Sequence, residues 1–150
     1  MEKQSHTEVV QAPIDVCFDT VVDFVRYPEW FGPISTAVVV KADPSKGLWT
    51  VKYGLDMVIK TVRYTLSYRG KRPGELAWSL VDGDVRAVEG TYDFVELEPG
   101  VTEATCRQAV DIGFWIPGPI RRTFEKTAVA DSVREFKAAA EAMARQRSRA

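Results

Sequence analysis

The sequence predicts an α+β fold: a curved antiparallel sheet of six to seven strands wrapped on one long C-terminal helix, with two short helices after the first strand. Three observations predict it. From Ile34 to Phe114 apolar and polar residues alternate with period two, in runs separated by turn-forming clusters. After Pro119 the period becomes that of an amphipathic helix of about 25 residues. A single helix after such a run of strands has one face of the sheet to cover. The 150 residues, 45% apolar and 27% charged, suit one domain with a buried core, so residues 1–150 are read as a single domain.

Each element follows in order. Ser5 to Gln11 alternates weakly, as a short first strand does. Ala12-Pro13-Ile14-Asp15 opens a helix, because proline is tolerated in a first turn where its missing N–H costs nothing. Val16, Phe18, Val21, Val22 and Val25 supply its apolar face. Arg26-Tyr27-Pro28 interrupts it, since the residue before a proline is pushed out of the α region. Pro28 to Phe31 reads as a second short helix, ended by Gly32-Pro33. Strands are expected over Ile34–Ala42, Leu48–Met57, Met57–Arg69 (with Val58, Val62, Tyr64, Leu66 and Tyr68 on one face), Glu75–Val81, Val85–Glu96 and Val101–Phe114. Turns at Asp43–Gly47, Gly70–Gly74, Asp82–Asp84 and Glu98–Gly100 separate them. Short turns between consecutive strands mean an antiparallel meander, and clean alternation means one wet and one covered face. In the last helix Ile120, Phe124, Ala128, Val129, Val133, Phe136, Ala140 and Met143 form the covering stripe, while Arg121, Arg122, Glu125, Lys126, Arg134, Glu135 and Lys137 stay outside. Residues 145–150, with Arg145, Arg147 and Arg149, read as a basic, frayed tail.

Composition removes several function classes. Twenty basic against twenty-one acidic residues leave a net charge of −1, which gives no electrostatic case for nucleic acid or an anionic membrane. No apolar run approaches the roughly 20 residues that span a bilayer, and the polar start has no signal-peptide character. The expectation is a cytoplasmic protein without integral membrane association. The two cysteines, Cys17 and Cys106, read as buried free thiols. The one histidine, His6, has no His or Cys partner at ligand spacing, so no metal is expected. Asp82-Gly83-Asp84 is a hairpin turn without the rest of a calcium loop. There is no Ser/His/Asp set and no phosphate-cradling glycine loop, and no cofactor is expected.

Several motifs carry a resemblance over nearly the whole chain. They are Ala12-Pro-Ile-Asp-Val-Cys-Phe18, Tyr27-Pro-Glu-Trp30, Gly90-Thr-Tyr-Asp-Phe94, the junction Pro117-Gly-Pro119, and Glu135-Phe-Lys-Ala-Ala-Ala-Glu141 at the end of the last helix. In these residues and in its element order the chain resembles the START-like (SRPBCC, Bet v 1-like) superfamily, of the bacterial polyketide cyclase/dehydrase and coenzyme-Q-binding START type. The resemblance implies the helix-grip fold, with a cavity between the sheet and the last helix. The shared residues are folding residues, and one fold hosts many activities.

In such a fold the inward strand faces and the inner helix face line the cavity. From the strands these are Trp49, Tyr53, Val62, Tyr64, Trp78, Leu80, Tyr92, Phe94, Cys106, Gln108 and Val110; from the helix, Ile120, Phe124 and Ala128. Trp30, Phe31, Phe114, Trp115 and Ile116 flank the places where this fold opens, and Lys60 is expected at the rim with its stem folded over apolar surface. Apolar walls with a few polar tips suit a small molecule. The tyrosine hydroxyls need partners when buried, and Gln108 can donate and accept. The first expectation is therefore binding or transport of a small hydrophobic ligand, such as a lipid, isoprenoid quinone or polyketide-like ring system. The alternative is a polyketide cyclase, aromatase or dehydratase using the same cavity, with Tyr64, Tyr92 and Gln108 as candidate catalytic groups. A third reading is an interaction module that meets a protein partner through Trp30-Phe31 or the basic tail.

Overall fold

Alternating segments of this chain pair into one sheet, which satisfies their backbone N–H and C=O groups and gathers their apolar sides on one face. The computed structural model describes residues 3–56, 60–115 and 118–149, with side chains throughout except at 118–127. In chain order the elements are β1 (Lys3–Val10), α1 (Ile14–Val22), α2 (Tyr27–Trp30), β2 (Ile34–Asp43), β3 (Leu48–Asp56), β4 (Thr61–Lys71), β5 (Glu75–Gly83), β6 (Ala87–Glu98), β7 (Val101–Asp111) and α3 (Gly118–Arg149). The described strands form a seven-stranded sheet in the order β1-β7-β6-β5-β4-β3-β2, with every neighbouring pair antiparallel. It is the expected meander, β2 through β7, with β1 added at the free edge of β7. Bulges between Val39 and Lys41, between Thr65 and Leu66, and between Glu96 and Glu98 bend it.

The short helices close one end of the bent sheet. In α1 the amides of Val16 and Cys17 both bond the Pro13 carbonyl, and Val16, Cys17, Phe18, Thr20 and Val21 are buried. The helix stops at Asp23, which leaves helical geometry (ψ 66°). Val25, expected on the apolar face, is therefore carried outward and is 57% exposed.

The long helix α3 lies on β1, β7 and α1. Its buried stripe, Val129, Val133, Phe136 and Ala140, advances by the 3–4 residue steps of one helix face. Ala128 was expected in that stripe, but it is exposed, because one residue's rotation from Val129 turns it off the sheet. Glu135, expected outside, is half-buried, and its carboxylate accepts the Gly32 amide at 3.4 Å. At the C-terminal end α3 runs to Arg149, and Arg147 meets Asp19 of α1 at 2.8 Å while Arg72 takes the other carboxylate oxygen at 2.8 Å. Val58 and Ile116 lie outside the described residues, as do the side chains of Ile120 and Phe124. Among the described residues no helix is long and apolar enough to cross a membrane.

Candidate functional site

The concave face of the sheet differs from end to end. Toward α1 and α2 it is filled. Phe24, Tyr68, Leu76, Phe94 and Phe136 are buried there, with the Phe24 and Tyr68 rings 4.4 Å apart and Phe94 stacked 5.6 Å from Phe136. Toward the start of β4 and the ends of β3, β5 and β7 the inward side chains Leu55, Tyr64, Leu80 and Gln108 are only half-buried. Val110, expected as cavity lining, keeps its inward phase opposite the buried Val88 but is 43% exposed. It stands one pair from the end of β7. Val62, in the same region, is fully buried.

A glycine builds the polar centre of this face. Antiparallel pairing sets Trp78 beside Gly90 and Gly90 beside Gln108. A Cβ on Gly90 would collide with the Trp78 indole. Its absence lets the ring lie across β6 and donate Nε1–H to Gln108 Oε1 at 3.1 Å. Indole N–H is a donor only, so this bond fixes the amide orientation and leaves the Gln108 NH2 as the free donor end. The sequence expected Gln108 inward; the indole partner follows from strand register.

Five tyrosines occupy the chain and all five are in the core or packed against it. Tyr53, Tyr64 and Tyr92 were expected there; Tyr27 and Tyr68 extend the set. Tyr68 shares the strand phase of Tyr64, which was the available signal, whereas Tyr27 sits in an irregular Tyr-Pro segment without periodicity. Their rings run on from one another: Tyr27 to Tyr53 at 6.0 Å, Tyr53 to Tyr64 at 5.5 Å, and Tyr68 through Trp78 to Tyr92 in steps of 5.9 Å. The Tyr53 and Tyr68 hydroxyls bond each other at 2.7 Å, and Tyr27 donates to the Val21 carbonyl. Among the described residues Tyr64 has no hydroxyl partner. Burial raises the pKa of every one of these phenols, so all remain protonated donors at neutral pH.

The thiols stay out of the chemistry. Burial pushes Cys17 up to about 11 and Cys106 up to about 12. Pairing of β1 with β7 does set His6 directly opposite Cys106, a neighbour that sequence distance had hidden. Yet His6 Nε2 is engaged by Glu8 instead, and a thiol so desolvated is no nucleophile. No group of three or more metal-ligating side chains occurs among the described residues.

The residues expected at the openings divide into two sets. Trp30 packs against Tyr27 at 4.8 Å and Phe136 at 6.2 Å, with Phe31 beside it, so this pair belongs to the contact of α2 with α3. Beyond β7, Phe114 is half-buried beneath Lys60, whose Nζ stands 3.8 Å from the ring centroid, and Trp115 is 80% exposed. Trp49 is half-buried at 5.7 Å from Phe24, on the filled side.

A match to the family described as "Polyketide cyclase / dehydrase and lipid transport" covers residues 10–137. A search of curated protein sequences gives no match. Among solved structures, the chain is similar to a START superfamily protein from Mycobacterium smegmatis, with 17% identity, a TM-score of 0.79, and 96% and 97% of the two chains covered. It is similar to the Zhui aromatase/cyclase from Streptomyces sp. R1128, with 18% identity, a TM-score of 0.79, and 99% and 96% covered. It is also similar to a STAR-related lipid transfer protein from Xanthomonas axonopodis, with 9% identity, a TM-score of 0.78, and 92% and 85% covered. At these identities the likeness is one of fold.

Proposed function

Because the chain belongs to the polyketide cyclase/dehydrase and lipid transport family, we propose that it binds and carries a small hydrophobic molecule in a hollow between the sheet and α3. One observation carries this reading. Side chains on the covered face of a sheet are expected to be buried, yet Leu55, Tyr64, Leu80, Gln108 and Val110 keep accessible surface toward the same end of the sheet, around the buried Val62 and Val88. Accessible surface on an inward side chain borders open volume. The walls are apolar, and the polar ends without a partner among the described residues, the Tyr64 hydroxyl and the Gln108 amide NH2, are donors. A ligand with a carbonyl or ether oxygen suits them, since each buried acceptor met by a donor avoids a desolvation cost of about 1–3 kcal/mol.

The mechanism is exclusion of water plus orientation by those donors. Native mass spectrometry of purified protein, with organic extraction and analysis of what it releases, tests it. The expected result is a stoichiometric hydrophobic compound that is lost when Leu80→Trp fills the hollow. Protein that is empty, and that takes up no hydrophobic probe, would overturn it.

A second reading rests on the protonated phenols. A donor held next to a reactive chain polarises a carbonyl, and confinement supplies proximity. Cyclisation of a poly-β-ketone would use Tyr64 and Gln108 in this way, with Tyr92 buried against Phe94 and Phe136. Tyr64→Phe and Gln108→Leu variants that fold should then change the product pattern from such a chain. Unchanged products would remove both residues from catalysis.

A further inference from the structure

Three adjacent strands meet at one hydrogen bond. Register pairs Trp78 on β5 with Gly90 on β6, and Gly90 with Gln108 on β7. The indole lies where Gly90 has no side chain, since a Cβ there would collide with Trp78 Cζ2. The ring is buried and packs against Tyr68 and Tyr92, each with its centroid 5.9 Å away. From this seat Nε1–H donates to Gln108 Oε1 at 3.1 Å.

That bond decides which end of the amide is offered. A side-chain amide carries an acceptor at one end and two donors at the other, and a half-turn exchanges them. Turned over, Gln108 would set its NH2 against the indole N–H, donor against donor, and the buried indole would lose its acceptor. A buried donor left without an acceptor costs more than an ordinary hydrogen bond returns. The amide is therefore held one way round, and its NH2 has no partner among the described residues. Gln108 is itself half-buried, as is Leu80 two residues along β5 from Trp78, so the NH2 belongs to the half-buried part of the inner face.

We infer that Trp78 sets the ligand specificity of the hollow. By holding Gln108 it offers the ligand a donor and withholds an acceptor. This selects a carbonyl compound, such as a ketone, quinone or ester, over a molecule of the same shape whose polar group can only donate. The inference rests on the proposed binding function, and adds to it the residue that enforces the choice of ligand class. Trp78 acts through Gln108 as a positioning residue, and Gly90 is the condition for its seat. An amide released from the indole presents either end, so selectivity is lost while the apolar share of the affinity stays.

Three rigid tricyclic probes of nearly one shape separate these chemistries: 9-fluorenone accepts, carbazole donates, and fluorene does neither. Each is titrated into the full chain by displacement of N-phenyl-1-naphthylamine, and affinities are compared as ratios, in which changes in wall packing cancel. Wild type should bind 9-fluorenone about three- to tenfold more tightly than carbazole, the factor one net hydrogen bond supplies. Trp78→Phe removes the N–H and Gly90→Ala displaces the indole, and each should bring this ratio to about one. Gln108→Glu keeps an acceptor for the indole and puts a second acceptor in place of the NH2. At about pH 8, well above the ordinary glutamate pKa of about 4.3, it should invert the ratio. A ratio near one in wild type, or the wild-type ratio kept by Trp78→Phe and Gly90→Ala or by Gln108→Glu, would overturn the role of Trp78 and leave the hollow standing. No saturable uptake of any probe by wild type would overturn the hollow, and its selectivity with it.

Discussion

Gly90 shows how one residue fixes the chemistry of this face. The alternation Gly90-x-Tyr92-x-Phe94 marks it as inward in the sequence, but its purpose lies in its neighbours on β5 and β7. With no side chain it gives the Trp78 indole a flat seat, and the indole in turn orients Gln108. Gly90→Ala would place a methyl group inside the indole ring, so the ring must leave its seat. The expected cost is about 1–3 kcal/mol, as for overpacking elsewhere in cores. Urea denaturation measures it, and a shifted Trp emission maximum in the folded variant reports the displaced indole. A variant with wild-type stability and emission would mean that the seat is looser than the geometry indicates. The same residue marks the limit of a sequence reading at this scale. Phase tells that Trp78, Gly90 and Gln108 share a face, whereas only the register of three strands tells that they touch.

At the scale of elements, period-two alternation identified the strands and their order, and turn chemistry located their boundaries within a few residues. What escaped was the way helices are tied down. The covering face of α3 was legible from Val129, Val133, Phe136 and Ala140; Ala128 was misplaced because Ile120, Phe124 and Ala128 also fit a four-residue step. The polar ties were invisible, since Glu135 and Glu141 look like any exposed helix glutamates. Glu141 in fact ties α3 to the end of β1: it accepts the Gln11 amide at 2.8 Å just after β1, and it pairs at 2.7 Å with Lys137, whose ammonium also reaches the Val9 carbonyl. Burial alone would raise its pKa, but the bonds from Lys137 and Gln11 outweigh burial and leave it lowered. The folded state therefore holds this proton more weakly than the unfolded chain does. The resulting stabilisation is present above the unfolded glutamate pKa of about 4.3 and is lost as pH falls through the folded value. Glu141→Gln should cost about 1 kcal/mol at neutral pH. The difference from wild type should shrink below about pH 4, and urea titrations at a series of pH values follow it. A gap that is constant with pH would assign the cost to packing instead.

For the whole molecule, the inner face is filled at one end and half-buried at the other, and Phe136 is where the filled part is joined. It is fully buried on α3, with Tyr92 at 5.1 Å and Phe94 at 5.6 Å on β6 and Trp30 at 6.2 Å on α2. The half-buried residues at the other end add little cohesion, so the filled end carries most of the packing energy. Truncating such a ring typically costs about 3–5 kcal/mol, a large share of the roughly 5–15 kcal/mol that domains possess. Trp49 and Trp78 lie within the filled sheet, whereas far-UV dichroism reports all strands and α3 together. If one core holds both ends, Phe136→Ala lowers the urea midpoint by the same amount in both signals and leaves the slope unchanged. Separate transitions in the two signals would mean that the two ends unfold as independent units. The proposed hollow would then rest on the local strength of β3, β4, β5 and β7, and Phe136 would not support it.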